Sequence, residues 1–499
     1  MRQRMKSIFP FVIAAASGCK THIILGGNLE HSLVEATSSS GTAGGGGDGG
    51  PPANGGGGGS NNAAVGAVSW ANHFGDDAVQ VAMDLAVDSV GNSIVTGYFS
   101  GSIDFGGNPL SGTDDLFLAK LDPSGHPIWS KSFGDSAAQS GDNVCVDEVG
   151  NIFVAGHFSG TLKWTTIPPL TTDSTPRLFL AKFSPEGEPV WSVASSGSGT
   201  SDLRGLVVTK SGDPVIVGKF PGDFHIGSKD FTSHGDQDIF LAKFTGDGSP
   251  VFAKQFGDLD QQIVESIALD VNDNILLAGS FRGNLDMDGT STSTQGDLAA
   301  DTANDDLFIS KLDSSGHHLW SRQWGNAPAS QLASAITTDT SNNVIAAGIF
   351  WGTMDVEGKS IDGGPASAGL LMKLNSDGKM LWNQVVGDPD AGEWLVDLAT
   401  DQDDNILLTG SMWGSMPLGN TVLTSGGDND AYVVKFDPSG LPVWGRRAGD
   451  ASQQFGKAVA CDPSGNVIAA GFFAGTLDWG PAPQVCTGQA DVYVVRFSP

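Results

Sequence analysis

The sequence has few cations for its length. Its 499 residues include 26 lysines and arginines against 56 aspartates and glutamates, which gives a net charge of −30 although only 16% of residues are charged. An acidic excess repels phosphate backbones, and we therefore expect no nucleic-acid partner. Cysteine is also scarce, and four cysteines in so long a chain exclude a disulfide scaffold.

Long apolar runs are missing as well. The apolar stretch from Ile8 to Ala16 is too short to span a bilayer, and it follows a basic segment that contains Arg2, Arg4 and Lys6. This order of a basic and then an apolar segment is typical of secretory signals. The sequence therefore predicts a signal peptide over residues 1–18.

The signal ends in Ala16-Ser17-Gly18-Cys19, which resembles the lipobox of bacterial lipoproteins. The resemblance implies that Cys19 is lipidated and that the protein is held at an outer membrane or cell surface. The alternative is ordinary cleavage after Ala16, which gives a freely secreted protein. Residues 19–65 then form a flexible tether, because 12 of the 20 residues at 41–60 are glycine without the period of collagen.

Familiar catalytic motifs are absent. The sequence has no glycine-rich phosphate loop, no His-Glu-x-x-His motif and no Gly-x-Ser-x-Gly elbow. The segment from Asp401 to Asn405 looks like a calcium loop, but it occupies a hairpin turn found in every repeat and lacks the distal glutamate. On these grounds we expect no cofactor, no metal site and no enzymatic activity.

What the sequence does contain is a long repeat. A phrase of the type FLAKLDPSGHPIWS returns about every 60 residues from residue 66 onward. Each copy has four short strands bounded by Gly, Asp, Asn and Pro, which in the first copy are 80–88, 93–99, 115–121 and 127–133. Seven copies of four antiparallel strands predict an all-β, seven-bladed β-propeller over residues 66–499.

The two ends of the array predict how the ring closes. The last copy stops after its third strand, Val492 to Phe497, whereas the chain begins with a surplus fourth strand at 68–74. We expect this N-terminal strand to complete the last blade and to cover its edge. We also expect a monomer.

Two phrases identify the type of repeat. Asp88-x-x-Gly91-Asn92 is followed by Gly97-x-Phe99-x-Gly101, and the pattern returns in later copies. It resembles the bacterial SBBP-type β-propeller repeat of exported and cell-surface proteins. That resemblance implies a propeller fold and a surface location, and it implies no activity.

Comparison among the seven copies separates scaffold positions from candidate site positions. A residue type found in nearly every copy is explained by packing or turn formation within the blades. The tryptophans of the outer strands and the cations of the third strands are examples, and we expect these cations to pair with local carboxylates. Trp351 and Trp413 instead occupy a variable loop position in two adjacent blades, and Trp394 lies on the same face. We expect these indoles to stack on a sugar ring or an apolar peptide side chain, unless each covers its own blade.

A second irregular position lies on the innermost strands, where the seven copies have Met83, Asp142, Arg204, Glu265, Ser334, Val396 and Lys457. Charges that line the axis of a propeller can surround a ligand, and a water-filled channel also tolerates them without one. Two alternatives likewise stand for Cys461 and Cys486, a disulfide in the last blade or two thiols.

These observations favour a surface-tethered, non-enzymatic module that binds a protein or a glycan through its loop face. One alternative is an exported hydrolase or lyase at the channel mouth, with Asp142 and Glu265 as its acid–base pair. Another is a purely structural envelope component.

Overall fold

The computed structural model describes residues 65–499, apart from 174, 228, 288–296, 301–303, 326–328, 389–390 and 481. The predicted signal peptide, the lipidation of Cys19 and nearly all of the predicted tether lie outside the described residues. The described residues form strands and turns, and no helix among them is long and apolar enough to cross a membrane.

Seven four-stranded antiparallel sheets, the blades, make up the fold. Their innermost strands are Gln80–Val87, Gln139–Val146, Asp202–Val208, Gln262–Leu269, Gln331–Thr338, Gly392–Thr400 and Gln454–Cys461. The second strands are Ser93–Ile103, Ile152–Phe158, Pro214–Phe220, Ile275–Phe281, Val344–Val356, Ile406–Trp413 and Val467–Phe473. The third strands are Leu110–Leu121, Arg177–Phe183, Asp238–Phe244, Asp306–Leu312, Lys359–Leu374, Asp430–Phe436 and Asp491–Phe497.

The outermost strands complete the blades. In blades 1 to 6 they are Pro127–Phe133, Pro189–Ala194, Pro250–Phe256, His318–Trp324, Met380–Val386 and Pro442–Ala448. Short hairpins extend the loop between the second and third strands in five blades: Thr161–Leu162 with Leu170–Thr171, Asp223–Ile226 with Lys229–Thr232, Asn284–Asp286 with Asp297–Ala299, Ser415–Leu418 with Thr421–Thr424, and Thr476–Leu477 with Gln484–Val485.

The ring closes as the two odd ends predict. The N-terminal strand Val68–Phe74 pairs with Asp491–Phe497, so that Ala71 lies opposite Val495, and it forms the outermost strand of blade 7. Each innermost strand contacts the next around the axis, including that of blade 7 with that of blade 1. The prediction of a seven-bladed propeller is confirmed.

The hydrophobic core lies between neighbouring blades. Apolar residues alternate along the strands, so that one sheet face packs against the next sheet. Phe153 and Ala155 of blade 2, for example, pack with Ile216 and Phe240 of blade 3. The Val-, Ile- and Phe-rich strands of the repeat are therefore buried on both faces.

The repeated tryptophan and cation fasten each blade to the next. Trp129 Nε1 and Lys120 Nζ both donate to Pro185 O of blade 2 at 3.3 Å, and Lys120 Nζ is also 3.0 Å from Asp88. Equivalent ion pairs are Lys311–Asp270, Lys373–Asp339, Lys435–Asp401 and Arg496–Asp462. The prediction that these cations pair locally is confirmed in five blades.

The disulfide considered for the last blade is not formed. Cys461 and Cys486 are free thiols that pack on the same apolar cluster of blade 7. The Cys461 thiol donates to Asp462 O at 3.3 Å. Burial raises the pKa of the two thiols to about 12 and about 11, respectively, so both stay protonated at neutral pH.

Candidate functional site

A β-bulge interrupts the innermost strand of every blade at one shared position. The unpaired residues are Met83, Asp142, Arg204, Glu265, Ser334, Val396 and Lys457. A bulge redirects its side chain away from the regular alternation of the strand. This geometry explains why the position is irregular in sequence, since it is not held to the apolar pattern of the blade.

The glycine of each Gly-x-Phe motif accommodates the bulged strand. A Cβ built on Gly97 would collide with the backbone oxygen of Val81, and the equivalent glycine of every other blade faces the equivalent carbonyl. In blades 2 and 7 the variable residue after this glycine lies against the bulge residue of its own blade. His157 contacts Asp142 in this way.

Asp142 and His157 form a hydrogen-bonded pair at the channel mouth. The His157 Nδ1 atom bonds to Asp142 Oδ2, and Ser140 Oγ donates to Asp142 Oδ1 at 2.6 Å. The other ring nitrogen, Nε2, lies 2.8 Å from Ser201 O. The His157 side chain is 25% exposed and that of Asp142 is 16% exposed, so both are reachable from solvent.

The surroundings of His157 favour its cationic form. Burial lowers its pKa, but the charge and hydrogen bond of Asp142, the charge of Asp202 and the Ser201 carbonyl outweigh burial and raise the pKa to about 9. At neutral pH both ring nitrogens therefore carry protons, and His157 is a proton donor.

Arg204 organises the neighbouring carboxylates. Its Nη2 lies 2.6 Å from Asp202 and its Nη1 lies 3.1 Å from Glu265, while Lys219 Nζ lies 3.7 Å from Asp202. Asp142 and Glu265, which the sequence suggested as an acid–base pair, are therefore bound to two different cations. Their direct partners are His157 and Arg204.

Tyr98 of blade 1 adds a neutral donor. Burial, Asp114 and Asp142 raise the pKa of its phenol to about 12, so the hydroxyl keeps its proton. We refer to the following side chains as the axial cluster: Tyr98, Asp142, His157, Asp202, Arg204, Lys219, Glu265 and Lys457. These groups are contributed by blades 1, 2, 3, 4 and 7, and together they provide several proton donors beside carboxylates.

The carboxylates next to the bulges have a different role. Asp84 Oδ2 accepts from Val144 N of the next blade at 2.7 Å, and Asp397 Oδ2 accepts from Val459 N at 2.8 Å. Burial raises the pKa of Asp84 to about 7, with a contribution from Asp397. These two aspartates join adjacent innermost strands.

The three candidate tryptophans occupy different surroundings. Trp413 covers its own blade, because its indole lies so close to Gly392 that a Cβ there would collide with it. Trp394 lies on the innermost strand of the same blade, opposite Ser411, whereas Trp351 lies on blade 5, opposite Ser367. All three side chains are half-buried, and the described residues show no ring contact among them.

The opposite end of the channel holds an open cavity of about 490 Å³. Its acidic lining residues are Asp88, Asp270, Asp339, Asp401 and Asp462. Every one of these carboxylates already pairs with a third-strand cation. Throughout the described part of the chain, no group of three His, Cys, Asp or Glu side chains could hold a metal ion.

The sequence pattern indicated the bulge residues Asp142, Arg204 and Glu265, but it did not indicate His157, Tyr98 and Lys219. All three missed residues occupy the variable position of the Gly-x-Phe motif. Across the blades this position reads Tyr98, His157, Lys219, Ser280, Ile349, Ser411 and Phe472. The irregularity is therefore visible in the sequence once the position is known to face the bulge.

Comparison with known proteins supports the fold. No family model matches the chain. The regulatory protein FlaEY of Caulobacter vibrioides is 26% identical over 187 residues, which cover 36% of this chain and 19% of that protein. An uncharacterized WD repeat-containing protein of Acanthamoeba polyphaga mimivirus is 20% identical over 475 residues, covering 82% of this chain and 31% of that protein. The chain thus spans a third or less of the curated relatives it matches.

Solved structures with a similar fold include enzymes. The polysaccharide lyase Uly1 is 10% identical with a TM-score of 0.44, covering 83% of this chain and 89% of that chain. A PL25 ulvan lyase is 11% identical with a TM-score of 0.43, and the alignment covers 82% of this chain and 92% of that chain. A puromycin hydrolase is 11% identical with a TM-score of 0.36, and the alignment covers 79% of this chain and 59% of that chain.

The expectation that the chain is not an enzyme is wrong as an inference from missing motifs, because proteins that are named as lyases and a hydrolase share this fold. The absence of familiar motifs was a weak basis for that expectation, since one fold can carry many unrelated activities. At these identities the likeness concerns the fold alone. The roles of individual residues therefore rest on the geometry of the axial cluster.

Proposed function

We propose that the protein is an exported enzyme of the hydrolase or lyase class, with its active site in the axial cluster at the channel mouth. The observation that carries the proposal is the Asp142–His157 pair, which is partly exposed and lies beside Arg204. A carboxylate that orients an imidazole next to a fixed guanidinium is an arrangement suited to acid–base chemistry.

In this proposal His157 is the general acid. A substrate oxygen that replaces Ser201 O as the acceptor of the Nε2 proton would receive that proton as its bond to the substrate breaks. Asp142 holds the ring in position and stabilises the cation. Glu265, on the other side of Arg204, is a candidate for the base that removes a proton from water or substrate.

The N-terminal sequence supports an extracellular location for the proposed enzyme. The signal pattern over residues 1–18 and the lipobox-like segment at Cys19 support export and attachment to an outer membrane or cell surface through the glycine-rich tether. The repeat phrases support membership of the SBBP-type family. An extracellular polymer, either a glycan or a peptide, is a substrate consistent with that location.

Turnover measurements on matched variants test the proposal. The full chain is screened against polysaccharide and peptide panels, with His157→Gln and Asp142→Asn compared with His225→Gln. His225 is a suitable control because its Nδ1 also bonds to an aspartate, Asp230 at 2.7 Å, on a short hairpin of blade 3.

We expect activity that falls by about two orders of magnitude or more in His157→Gln and that persists in His225→Gln. Equal activity in both folded variants would contradict a role for the axial cluster. Absence of turnover on every panel would contradict the proposed class of function.

A further inference from the structure

Lys457 differs from the other charged residues at the bulges. Asp142, Arg204 and Glu265 each have an oppositely charged partner within ion-pair distance. Lys457, by contrast, has no hydrogen bond or ion pair to any of the described residues, and its ammonium lies 5.9 Å from the centre of the Phe472 ring. A half-buried ammonium group without a carboxylate partner is costly unless something else compensates for its lost hydration.

The positive charge of Arg204 increases that cost. Burial and the charge of Arg204 lower the pKa of Lys457, and Asp142 opposes them only in part. Lys457 is on blade 7 and Arg204 is on blade 3, so the two cations enter the axial cluster from different sides of the ring. Arg204 uses both Nη atoms on carboxylates, but its buried Nε has no partner.

An apolar arc lies beside this pair of cations. The innermost strands of blades 4 to 7 carry half-buried apolar residues at the position two residues before the bulge: Ile263, Leu332, Trp394 and Phe455. The Phe455 and Phe472 rings are in contact, with centroids 5.0 Å apart. Blades 2 and 3 have Ser140 and Asp202 at the same position, so the mouth is polar on one side and apolar on the other.

We propose that the substrate is an acidic sugar whose anionic group binds between Lys457 and Arg204 and whose ring lies on Phe455 and Phe472. An oxyanion at this point would supply the missing partner of Lys457 and relieve its repulsion from Arg204. Carbon-bound hydrogens on one face of a sugar ring are apolar enough to pack on aromatic rings. This inference rests on the proposed function and specifies its substrate class.

A carboxylate and a sulfate ester provide the same anionic chemistry, and the experiment separates them. Saturation-transfer NMR on the full chain compares D-glucuronate, glucose 6-sulfate, neutral glucose and inorganic sulfate. We expect at least one of the two acidic sugars to bind about tenfold more tightly than glucose, since a charge-assisted contact contributes on that scale. Glucose binding as tightly as both acidic sugars would overturn the inference, as would sulfate competing as well as the acidic sugars.

Substitution of Lys457 provides the second arm. Lys457→Met should weaken binding of the acidic sugar about tenfold without changing glucose binding, and Lys457→Arg should restore most of the affinity. Lys359→Met is the matched control, because Lys359 is exposed on the long hairpin of blade 5. Unchanged affinity in folded Lys457→Met would refute the anion site.

The binding result can be separated from the test of turnover. If turnover depends on His157 while Lys457→Met binds acidic sugars normally, the anion site fails and the enzymatic proposal stands. If acidic sugars bind through Lys457 but no substrate is turned over, the enzymatic proposal fails and the binding site stands.

Discussion

Replacement of Asp142 by asparagine should abolish the elevated pKa of His157. Asparagine keeps the size and one acceptor of the side chain but removes the charge, which is the main influence that opposes burial of the imidazolium. With that charge gone, we expect the His157 pKa to fall from about 9 toward or below its ordinary value of 6.5.

The same change should alter stability in a defined pH window. The difference between a pKa of 6.5 and a pKa of about 9 corresponds to roughly 3 kcal/mol of preference for the cation in the folded state. The actual contribution to stability is smaller, because the His157 side chain is 25% exposed and solvent screens its charge. Since the folded pKa is the higher one, this stability is fully present below pH 6.5 and is lost as the pH rises through about 9. Asp142→Asn should therefore be destabilised most at pH 6 and least at pH 10.

Two measurements check this prediction. NMR titration of histidine-labelled protein gives the His157 pKa directly, with His157→Gln used to assign its signal and His225 as an internal control. Urea unfolding of the wild type and Asp142→Asn at pH 6 and pH 10 gives the change in stability. A His157 pKa near 6.5 in the wild type, or near 9 in both proteins, would refute the reasoning.

Three further predictions concern the scaffold. Glu393→Gln should raise the Tm at pH 9 more than at pH 5. Burial beside Asp388 raises the Glu393 pKa from 4.5 to about 8, so the wild-type fold loses stability as the pH rises through that window. An equal change in Tm at both pH values would contradict this. Deletion of residues 66–75 should strongly lower the free energy of unfolding, since it removes the outermost strand of blade 7, and an unchanged melting curve would argue against this closure. Lys311→Met should lower the free energy of unfolding in urea by about 3–5 kcal/mol, because it leaves the buried Asp270 carboxylate without its cation. A decrease in this free energy below about 1 kcal/mol would mean that the ion pair is not needed.

The repeat made the architecture predictable. Strand patterns, turn residues and the two odd chain ends are all local features, and seven copies of them reinforce one another. The cation of each third strand was predicted to have a local partner for the same reason, and Lys120 pairs with Asp88.

The site was predictable only in part because it depends on the bulge. The regular alternation of a strand gives no indication that Asp142 leaves the ladder, or that His157, on the neighbouring strand, then meets it. Trp413 shows the converse, since its unusual position in the sequence has a local explanation in its packing on Gly392. An off-pattern residue therefore marks either the site or a local adjustment, and only its contacts distinguish the two.

The assignment of His157 as the general acid is tested by the pH dependence of kcat/KM for a substrate found by screening, because that ratio reports the ionisation of essential groups in the free enzyme. We expect kcat/KM to fall as the pH rises through about 9, where His157 loses its proton. A kcat/KM that stays constant or increases through pH 9 would contradict the assignment of His157 as the general acid.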